Sequence, residues 1–513
     1  MVDRTDTFVA MTMARGIRTA MYRAPDKIAV RQGDRQISYR ELSERMDAAA
    51  MGAVGDLELQ PGENVALVAR NRAEYLEVTC GIAEAGIAVA TINPRMTAAE
   101  IGAICDDAEA RVVFADAESA GAVRAANSRT VRKIIEFGPE YESFLGRGAR
   151  SGVKLPPADE NSAWTIPYTS GTTGKPKGVM VSHRSRSLVA LICASEYGCF
   201  GVDDTFLAMA PFNHGGGLAF PVGSLLTGGS VEIMDRFDAV PVLEAFKSGR
   251  ITGVFMVPTH FHSIFSLDAD VLDRYRRPPI KTIISNAAAL PYAYKEKIVP
   301  YFGDGILHEL YGSTEAGLVT NLRPADQLRK PRSVGHPLAM VEVRLLDDRG
   351  SEVSQGEVGE IFVRSPMLFS GYWQRPDESA AGMRDGWNSV GDMGRLDDEG
   401  QLYIVDRKKD MVISGGENIY PREIEELLLT HPAIAEAAVV GVPDERWGER
   451  LRAFIVPRKG SVVDVAALDA FCRDKLAGYK IPREFVGVPE LPRNANGKVL
   501  KTELRKRACQ KTQ

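Results

Sequence analysis

The sequence lacks the residue spacings that bind structural metals. Its six cysteines form no C-x-x-C pair, and its seven histidines show neither H-x-x-x-H nor H-E-x-x-H spacing. These patterns argue against a structural zinc site. Cysteines without such a framework indicate reduced thiols, and therefore a cytoplasmic location.

The chain also lacks an excess of positive charge and any long apolar run. Its formal net charge is −5, which argues against a nucleic-acid partner because such proteins need a broad basic surface. The most apolar stretch, residues 81–93, is interrupted by Glu84, so no membrane span is expected. The first residues are charged and include no long apolar segment, which argues against a secretory signal.

With 44% hydrophobic and 26% charged residues, the composition is typical of a globular protein with an ample core. A chain of 513 residues exceeds one ordinary domain, and about two to four folding units are expected. A homodimer is compatible with this composition, which does not define an oligomeric state.

The first half of the chain alternates short apolar strands with amphipathic helices. The pattern predicts a hairpin over 27–39, a helix over 40–54 and a strand over 65–69. Thr97 and Glu100 form a capping-box pattern at the start of another helix. Further strands are predicted near 205–209, 230–234, 253–257 and 281–285. This alternation predicts an α/β fold with parallel sheets.

The pattern changes after residue 341. Residues 341–363 combine short strands with polar turns, which predicts an antiparallel β subdomain. A strand at 403–405 precedes the charged run 406–410, and the rest of the chain predicts a small α+β domain. We therefore expect an N-terminal domain over 1–405, a hinge over 406–410 and a C-terminal domain over 411–513.

Residues 168–179 read Y-T-S-G-T-T-G-K-P-K-G-V, a dense set of anion-binding groups. The hydroxyls, glycines and lysines are Thr169, Ser170, Thr172, Thr173, Gly171, Gly174, Gly178, Lys175 and Lys177. Glycines let backbone N–H groups approach an anion, and the other side chains add donors and charge, so the loop suits a polyphosphate. It is not a Walker A loop, because Pro176 follows Lys175. A flexible surface loop is the competing interpretation.

Together with this loop, five further segments in order resemble motifs of the adenylate-forming superfamily of acyl-CoA synthetases, peptide-synthetase adenylation domains and luciferases. They are A-P-F-N-H-G-G-G at 210–217, Y-G-S-T-E-A-G at 311–317, V-G-D at 390–392, D-R-K-K-D-M-V-I-S-G-G-E-N-I-Y-P-R-E-I-E at 406–425 and P-R-N-A-N-G-K-V-L at 492–500. The resemblance spans most of the chain. It implies a carboxylate–CoA ligase that uses ATP and Mg²⁺ to form an acyl-adenylate and pyrophosphate, and then transfers the acyl group to coenzyme A.

The resemblance also implies which residues bind the nucleotide. Tyr311 would stack on adenine, Thr314 would bind the α-phosphate, and Glu315 would ligate Mg²⁺, a hard cation that prefers oxygen ligands. An exposed loop carboxylate is the ordinary alternative for Glu315. The loop at 168–179 would hold the β- and γ-phosphates. The same site would include Ala287, Ala288 and Gly312.

Asp392 is the residue expected to bind the ribose, because a carboxylate can accept hydrogen bonds from two hydroxyls at once. Arg407 would assist it. Val390 stands where the family commonly has Thr, whereas the Asp is retained. A turn cap is the ordinary alternative for Asp392.

The C-terminal domain would contribute to both half-reactions. Lys498 matches a lysine that bridges the attacking carboxylate to phosphate, and Lys409 matches the hinge residue, where some members have Asp. After rotation about the hinge, a glycine-rich slot would admit the pantetheine thiol of coenzyme A. The slot residues are Ser414, Gly415, Gly416 and Glu417. Trp447 would either stack on the adenine of coenzyme A or serve as a core residue.

The acid pocket is less defined. His214 matches a pocket-edge histidine of ligases for aromatic and fatty acids, and no Asp stands beside it to hold an α-amino group. Gly215, Gly216 and Gly217 stand where many relatives have larger side chains, which predicts room for a fatty, aromatic or other bulky hydrophobic acid. Asn286 replaces a common glycine; it would either contact a polar atom of the acid or shorten the pocket.

Other functions share part of this pattern. An acyl-AMP ligase that delivers to a carrier protein or another non-CoA acceptor would have every ATP motif. A peptide-synthetase module is disfavoured because little sequence follows Lys498, and a luciferase would have to emit light. A non-catalytic nucleotide-binding protein is disfavoured because Lys498, Glu315 and Asp392 are all present.

Overall fold

The computed structural model of the chain describes residues 9–170, 176–461, 463–493 and 499–510. By their contacts the residues form two compact units. The large unit comprises Met1–Val343 and Val363–Val390, and the small unit comprises Arg344–Phe362 and Gly391–Gln513. Among the described residues, no helix has the length and apolar character that crossing a membrane requires.

The strands are β1 (Ile28–Gln32), β2 (Arg35–Ser38), β3 (Asn64–Val68), β4 (Ala88–Ile92), β5 (Ala110–Ala115), β6 (Lys133–Glu136), β7 (Ala163–Thr165), β8 (Tyr168–Ser170), β9 (Pro176–Ser182), β10 (Thr205–Ala208), β11 (Ser230–Ile233), β12 (Gly253–Met256), β13 (Thr282–Ser285), β14 (Leu307–Ser313), β15 (Gly317–Leu322), β16 (Ser333–Pro337), β17 (Glu342–Leu346), β18 (Gly359–Arg364), β19 (Gly371–Tyr372), β20 (Met383–Arg384), β21 (Trp387–Asn388), β22 (Asp392–Leu396), β23 (Leu402–Arg407), β24 (Val412–Ser414), β25 (Glu417–Ile419), β26 (Ile434–Asp444), β27 (Gly448–Pro457) and β28 (Glu484–Gly487).

The α-helices are α1 (Met13–Arg23), α2 (Tyr39–Gly55), α3 (Ala73–Glu77), α4 (Ala98–Asp107), α5 (Ala117–Ala125), α6 (Pro139–Arg150), α7 (His183–Glu196), α8 (Gly215–Thr227), α9 (Ala239–Lys247), α10 (Pro258–Ile264), α11 (Ala269–Arg274), α12 (Tyr292–Phe302), α13 (Pro376–Ala381), α14 (Pro421–Leu429), α15 (Val465–Arg473) and α16 (Lys501–Gln510). A π-helical segment, Val78–Ile82, follows α3, and short 3₁₀ segments lie at Pro324–Asp326, Lys408–Asp410 and Gly478–Lys480.

Two sheets build the large unit. In the first, β1, β11, β10, β12, β13 and β14 lie side by side in parallel, and β2, β15 and β16 extend its ends antiparallel. In the second, β7, β4, β3, β5 and β6 are parallel, and β9 and β19 continue the sheet antiparallel. β3, β4, β12 and β13 are buried at every residue, as parallel strands of an α/β protein are expected to be.

The small unit contains antiparallel strands and three helices of the described chain. β22 pairs with β18 and β23, and a separate sheet has the order β25, β24, β27, β26 with β28 parallel to β27. α14, α15 and α16 complete this unit, and their apolar side chains Ile424, Leu468 and Leu504 are fully buried.

The structure confirms the predicted α/β fold. The hairpin predicted over 27–39 is β1 and β2, the helix predicted over 40–54 is α2, and the capping box of Thr97 and Glu100 begins α4. The four strands predicted between 205 and 285 are β10 to β13.

The two compact units divide the sequence at 343/344, 362/363 and 390/391. The N-terminal domain over 1–405 and the C-terminal domain over 411–513 stay predictions. The antiparallel pairing of β22 with β23 runs as far as Arg407, so residues 391–405 belong with the small unit, as do 344–362. The hinge over 406–410 stays a prediction.

Candidate functional site

The polyphosphate loop predicted from the sequence connects two strands of a hairpin. β8 and β9 pair antiparallel, with Thr169 opposite Lys177, and Ser170 ends β8. Thr169 is half-buried. The predicted residues Gly171, Thr172, Thr173, Gly174 and Lys175 lie outside the described residues.

Lys177 is held by neighbours within the large unit. Its side chain is 14% exposed, and its ammonium forms an ion pair with Glu378. The same ammonium lies 5.3 Å from the centre of the Tyr372 ring, a cation–π contact. Glu378 therefore balances the positive charge that the sequence assigns to phosphate binding.

Thr314 and Glu315 lie in the tight connection between β14 and β15, termed here the 314–315 turn. The Ala316 N–H donates to Ser313 Oγ at 3.0 Å and closes the turn. Position 312 has no room for a side chain, because a Cβ on Gly312 would lie 2.2 Å from the carbonyl oxygen of Gly317. The strands thus place both predicted ATP-contacting side chains at the end of the sheet, beside the half-buried Tyr311.

Three groups from elsewhere in the large unit fix this turn. The Tyr372 hydroxyl donates to Glu315 Oε1 at 3.1 Å, and the Phe369 N–H donates to the Glu315 carbonyl at 2.8 Å. Arg186 Nη2 donates to the Thr314 carbonyl at 3.1 Å. Sequence reasoning missed all three, because each contact joins segments far apart in the chain.

Arg186 is an unusual member of this set. It lies in the first turns of α7 and is only 6% exposed. Burial lowers the pKa of the guanidinium to about 10, and the Glu315 carboxylate opposes that lowering. The arginine is still protonated at neutral pH, so a buried positive charge lies near the predicted Mg²⁺ ligand.

The start of α8 faces the 314–315 turn. His214 is the N-cap residue, and a Cβ built on Gly215 would lie 3.8 Å from Thr314 Oγ1, an ordinary van der Waals distance. The predicted pocket residues His214 and Gly215 are therefore brought beside the residue predicted to bind the α-phosphate.

The other two glycines do not widen the pocket as the sequence suggested. A Cβ on Gly216 would lie 3.0 Å from the Phe255 ring, and one on Gly217 would lie 2.1 Å from the Pro211 carbonyl oxygen. The protein's own atoms fill the space at both positions. Of the three glycines, Gly215 is the one whose missing side chain leaves free volume.

A small cavity of about 10 Å³ lies between these elements. It is lined by Arg186, Asn213, His214 and Gly215, together with residues of β7 and β9. A space of this size holds about one water molecule. Burial, and next the charge of Arg95, lower the pKa of His214, so its imidazole is neutral at neutral pH.

Asn286, Ala287 and Ala288 follow β13. Asn286 Oδ1 accepts a hydrogen bond from the Ala287 N–H at 2.5 Å, so the amide oxygen stabilises its own turn. Ala287 has a φ of 73°, a left-handed conformation that side chains other than glycine rarely adopt. The asparagine thus has a local structural role besides the two pocket roles considered from sequence.

The predicted ribose-binding pair lies in the small unit. Asp392 is opposite Arg407 in the β22–β23 ladder, and Arg407 Nε lies 3.0 Å from Asp392 Oδ1. Asp392 is 6% exposed. Arg407 thus holds one oxygen of the carboxylate in place, and its assisting role in ribose binding stays a prediction.

The residues predicted to bind coenzyme A come together in the small unit. Gly415 and Gly416 form the turn of the β24–β25 hairpin with φ values of 61° and 89°, and Ser414 and Glu417 flank it as a pair. The Gly415 N–H donates to the Trp447 carbonyl at 2.8 Å, and a Cβ on Gly415 would lie 2.7 Å from the indole.

Trp447 is a surface residue. Its side chain is 40% exposed and the Arg446 guanidinium lies 4.7 Å from its ring centre. The core interpretation of this tryptophan is therefore wrong, because its side chain is partly exposed and lies beside the Gly415 turn.

Lys409 lies in the 3₁₀ segment between β23 and β24, and burial lowers the pKa of its amine. Ion pairs flank it within the small unit. Lys408 contacts Asp348 at 2.8 Å, and Arg505 of α16 contacts Asp410 at 3.0 Å. Arg505 also donates to the Lys409 carbonyl at 3.4 Å. Lys498, which precedes α16, lies outside the described residues.

The large unit offers one predicted carboxylate for Mg²⁺. Glu315 is half-buried, and its Oε2 accepts no hydrogen bond from the residues that the structure describes. The described chain contains no group of three or more His, Cys, Asp or Glu side chains that could hold a metal ion. This donor set fits Mg²⁺, which is usually bound by one or two carboxylates, waters and substrate phosphates.

Comparison with known proteins agrees with this geometry. Residues 17–373 match the family described as AMP-binding enzyme, and residues 423–498 match the AMP-binding enzyme C-terminal domain. The chain therefore belongs to the AMP-binding enzyme family. It is an AMP-forming acyl-CoA synthetase, an acid–thiol ligase whose reaction uses ATP, Mg²⁺ and coenzyme A.

Particular relatives extend over almost the whole chain. It is 36% identical to the 2-succinylbenzoate–CoA ligase of Geobacillus kaustophilus, covering 98% of this chain and 99% of that protein. It is 35% identical to a feruloyl-CoA synthase of an Amycolatopsis species, covering 94% and 96%. The o-succinylbenzoate coenzyme A synthetase of Bacillus subtilis, solved with ATP and a magnesium ion, is similar with a TM-score of 0.85 at 28% identity, covering 95% and 98%.

Proposed function

We propose that this enzyme activates a bulky carboxylic acid carrying a ring or a long apolar chain, and transfers it to coenzyme A. The observation that carries this proposal is the missing side chain at Gly215, where a Cβ would fit without a clash, 3.8 Å from Oγ1 of the predicted α-phosphate ligand Thr314. Relatives named for 2-succinylbenzoate and feruloyl substrates support a ring-containing acid.

The residues would divide the reaction as follows. Thr314 would bind the α-phosphate and Lys177 the leaving phosphates, while Glu315 would hold Mg²⁺, which neutralises phosphate charge when bound. Lys498 would bring the attacking carboxylate to phosphorus. Asp392 would hold the ribose. Such preorganised contacts act on the charge that develops in the transition state.

Within this proposal the neutral imidazole of His214 lies at the edge of the acid pocket. A neutral His214 cannot form an ion pair with the acid, so the histidine would not hold the carboxylate away from the phosphate. The absence of an acidic side chain at Asn213 disfavours an α-amino acid, because nothing there would balance an ammonium group.

The location and assembly of the enzyme are part of the proposal. We place it in the cytoplasm, a location supported by the buried free thiols of Cys80, Cys105, Cys193, Cys199 and Cys472. Its oligomeric state is proposed as monomer or homodimer, and light scattering of the purified protein distinguishes the two.

The proposed acid class is tested with a panel of acetate, straight-chain, aromatic and polycyclic acids. ATP-dependent AMP release and acyl-CoA formation are measured for each acid, with coenzyme A omitted as a control. We expect the highest kcat/KM with a ring-containing or long-chain acid. A preference for acetate would contradict the proposed pocket. Adenylate that forms but passes only to an amine or a carrier protein would favour the non-CoA acyl-AMP ligase instead.

Gly215→Ala is expected to narrow the acid specificity. The added methyl would meet Thr314 Oγ1 at van der Waals distance, so folding is unaffected while the pocket loses volume. We expect kcat/KM for the preferred bulky acid to fall about 10-fold relative to acetate or propionate. Gly217→Ala is the contrasting control. Its methyl would clash with the Pro211 carbonyl oxygen, which would lower the melting temperature without changing the preference among acids. Equal loss for all acids in Gly215→Ala would contradict the prediction.

Trp447→Ala is expected to raise the KM for coenzyme A about 10-fold, because an exposed indole would no longer stack on the adenine. ATP–pyrophosphate exchange should stay unchanged, since adenylation does not involve coenzyme A. Tyr479→Ala, which removes another exposed aromatic side chain of the small unit, is the matched control. An unchanged KM for coenzyme A would contradict the prediction that Trp447 binds coenzyme A.

A further inference from the structure

Arg186 is a buried cation with no role in the function described so far. It lies one turn into α7, whose N-cap Ser182 accepts a hydrogen bond from the Ser185 N–H at 3.1 Å. The side chain is directed inward, toward β14 and the start of α8, and is 6% exposed. A buried guanidinium is costly unless acceptors and negative charge surround it.

The acceptor is the backbone of the 314–315 turn. Arg186 Nη2 donates to the Thr314 carbonyl at 3.1 Å, and among the described residues this is the side chain's one hydrogen bond. The Glu315 carboxylate supplies the nearby negative charge. The arginine therefore interacts with both Thr314 and Glu315, the two residues joined by the central peptide bond of the turn.

The contact also links the turn to the acid pocket. Arg186 lines the cavity of about 10 Å³ together with His214 and Gly215. The cavity holds about one water molecule, and the hydrogen bond that the structure gives to the arginine is made to the protein backbone. Arg186 is suited to hold this turn at a defined position, because it is a charged donor on a helix. Its planar guanidinium loses little conformational entropy for each hydrogen bond that it forms.

We propose that Arg186 is a positioning residue that holds the 314–315 turn in the geometry needed for adenylate formation; the proposal rests on the adenylation function assigned above. Tyr372 and Phe369 hold the Glu315 end of the turn, whereas Arg186 holds its Thr314 end. Arg186 acts through Thr314 and Glu315 and does not itself touch ATP.

The test separates the two half-reactions in Arg186→Met and Arg186→Lys. Methionine fills the volume without charge or donors, and lysine retains the charge and a donor but not the fork. We expect adenylation, measured as hydroxamate-trapped acyl-adenylate at saturating Mg²⁺, to fall about 10- to 100-fold in the methionine variant. The lysine variant should recover part of this loss. Thioester formation from supplied acyl-adenylate and the KM for the acid should stay near the wild-type values.

A Mg²⁺ titration distinguishes whether Arg186 acts by positioning the 314–315 turn or only by its positive charge. If Arg186 acted only by its charge, its removal would tighten Mg²⁺ binding at Glu315 and leave the saturated rate unchanged, which would overturn the proposal. Equal losses in both half-reactions would also overturn it, because they would indicate general disruption. Arg45→Met is the matched control: Arg45 is a mostly buried arginine of α2 paired with Glu77, and its loss should lower stability without selecting one half-reaction.

Folding and the underlying function are checked separately. If Arg186→Met does not fold, the lysine variant decides: a selective adenylation loss with an unchanged melting temperature supports the proposal, and an unchanged adenylation rate overturns it. If the wild-type protein forms no adenylate with any acid of the panel, the proposed function fails independently of Arg186.

Discussion

Glu315→Gln is expected to lower the rate of acyl-adenylate formation by about 10²- to 10³-fold, the usual effect of removing one preorganised charged contact. The amide keeps the shape of the side chain and can still accept the Tyr372 hydroxyl bond seen at 3.1 Å. It loses the negative charge, and a neutral amide oxygen binds Mg²⁺ more weakly than a carboxylate. ATP–pyrophosphate exchange, measured as a function of Mg²⁺ concentration, reports the loss directly.

Tyr372→Phe provides the comparison for Glu315. It removes the hydroxyl that orients the carboxylate but leaves the charge, so we expect a loss of about 3- to 10-fold in adenylation. The Lys177 ammonium should keep its contact with the aromatic ring in this variant. If the glutamine variant retained wild-type exchange at low Mg²⁺, Glu315 would not be the metal ligand.

Lys498→Ala is expected to abolish adenylation almost completely while leaving thioester formation from supplied acyl-adenylate largely intact. The lysine would neutralise charge between the attacking carboxylate and phosphate, a contact that exists only in the first half-reaction. Its removal should cost about 10²- to 10³-fold in adenylation. Each half-reaction is measured separately, as pyrophosphate release and as acyl-CoA formation from synthetic adenylate.

Lys506→Ala is the matched control for Lys498. Lys506 lies on α16, is mostly exposed and, among the described residues, pairs locally with Glu503 at 2.8 Å, so its loss should change neither half-reaction. Equal impairment of both half-reactions in Lys498→Ala would contradict the idea that the C-terminal residues serve the two steps in turn.

The fold was predictable where local signals coincided with the final structure. The hairpin over 27–39, the capping box of Thr97 and Glu100, and the apolar runs of β10 to β13 depend on neighbouring residues, and all of them are present. The nucleotide-site motifs were equally visible, because each is a short contiguous segment. Tyr311, Thr314 and Glu315 lie together at the connection between β14 and β15 because Y-G-S-T-E-A-G is one contiguous segment.

The features of the fold and site that were not predicted depend on packing between residues far apart in the sequence. α8 begins with three glycines, which have poor helix propensity, and the helix forms because tertiary contacts override that preference. Gly216 and Gly217 suggested an enlarged pocket, yet Phe255 and Pro211 occupy the space. Arg186 resembled any other helix residue, since its partner Thr314 lies 128 positions away.

The contacts of Arg505 give the small unit a mechanical property. Its guanidinium joins α16 to Asp410 and to the Lys409 carbonyl, and Lys501 of the same helix forms an ion pair with Glu425 of α14 at 2.7 Å. These contacts therefore tie α16 to the residues around Lys409, where the hinge is predicted. A backbone rotation at that residue would act on α16 directly through the contacts of Arg505.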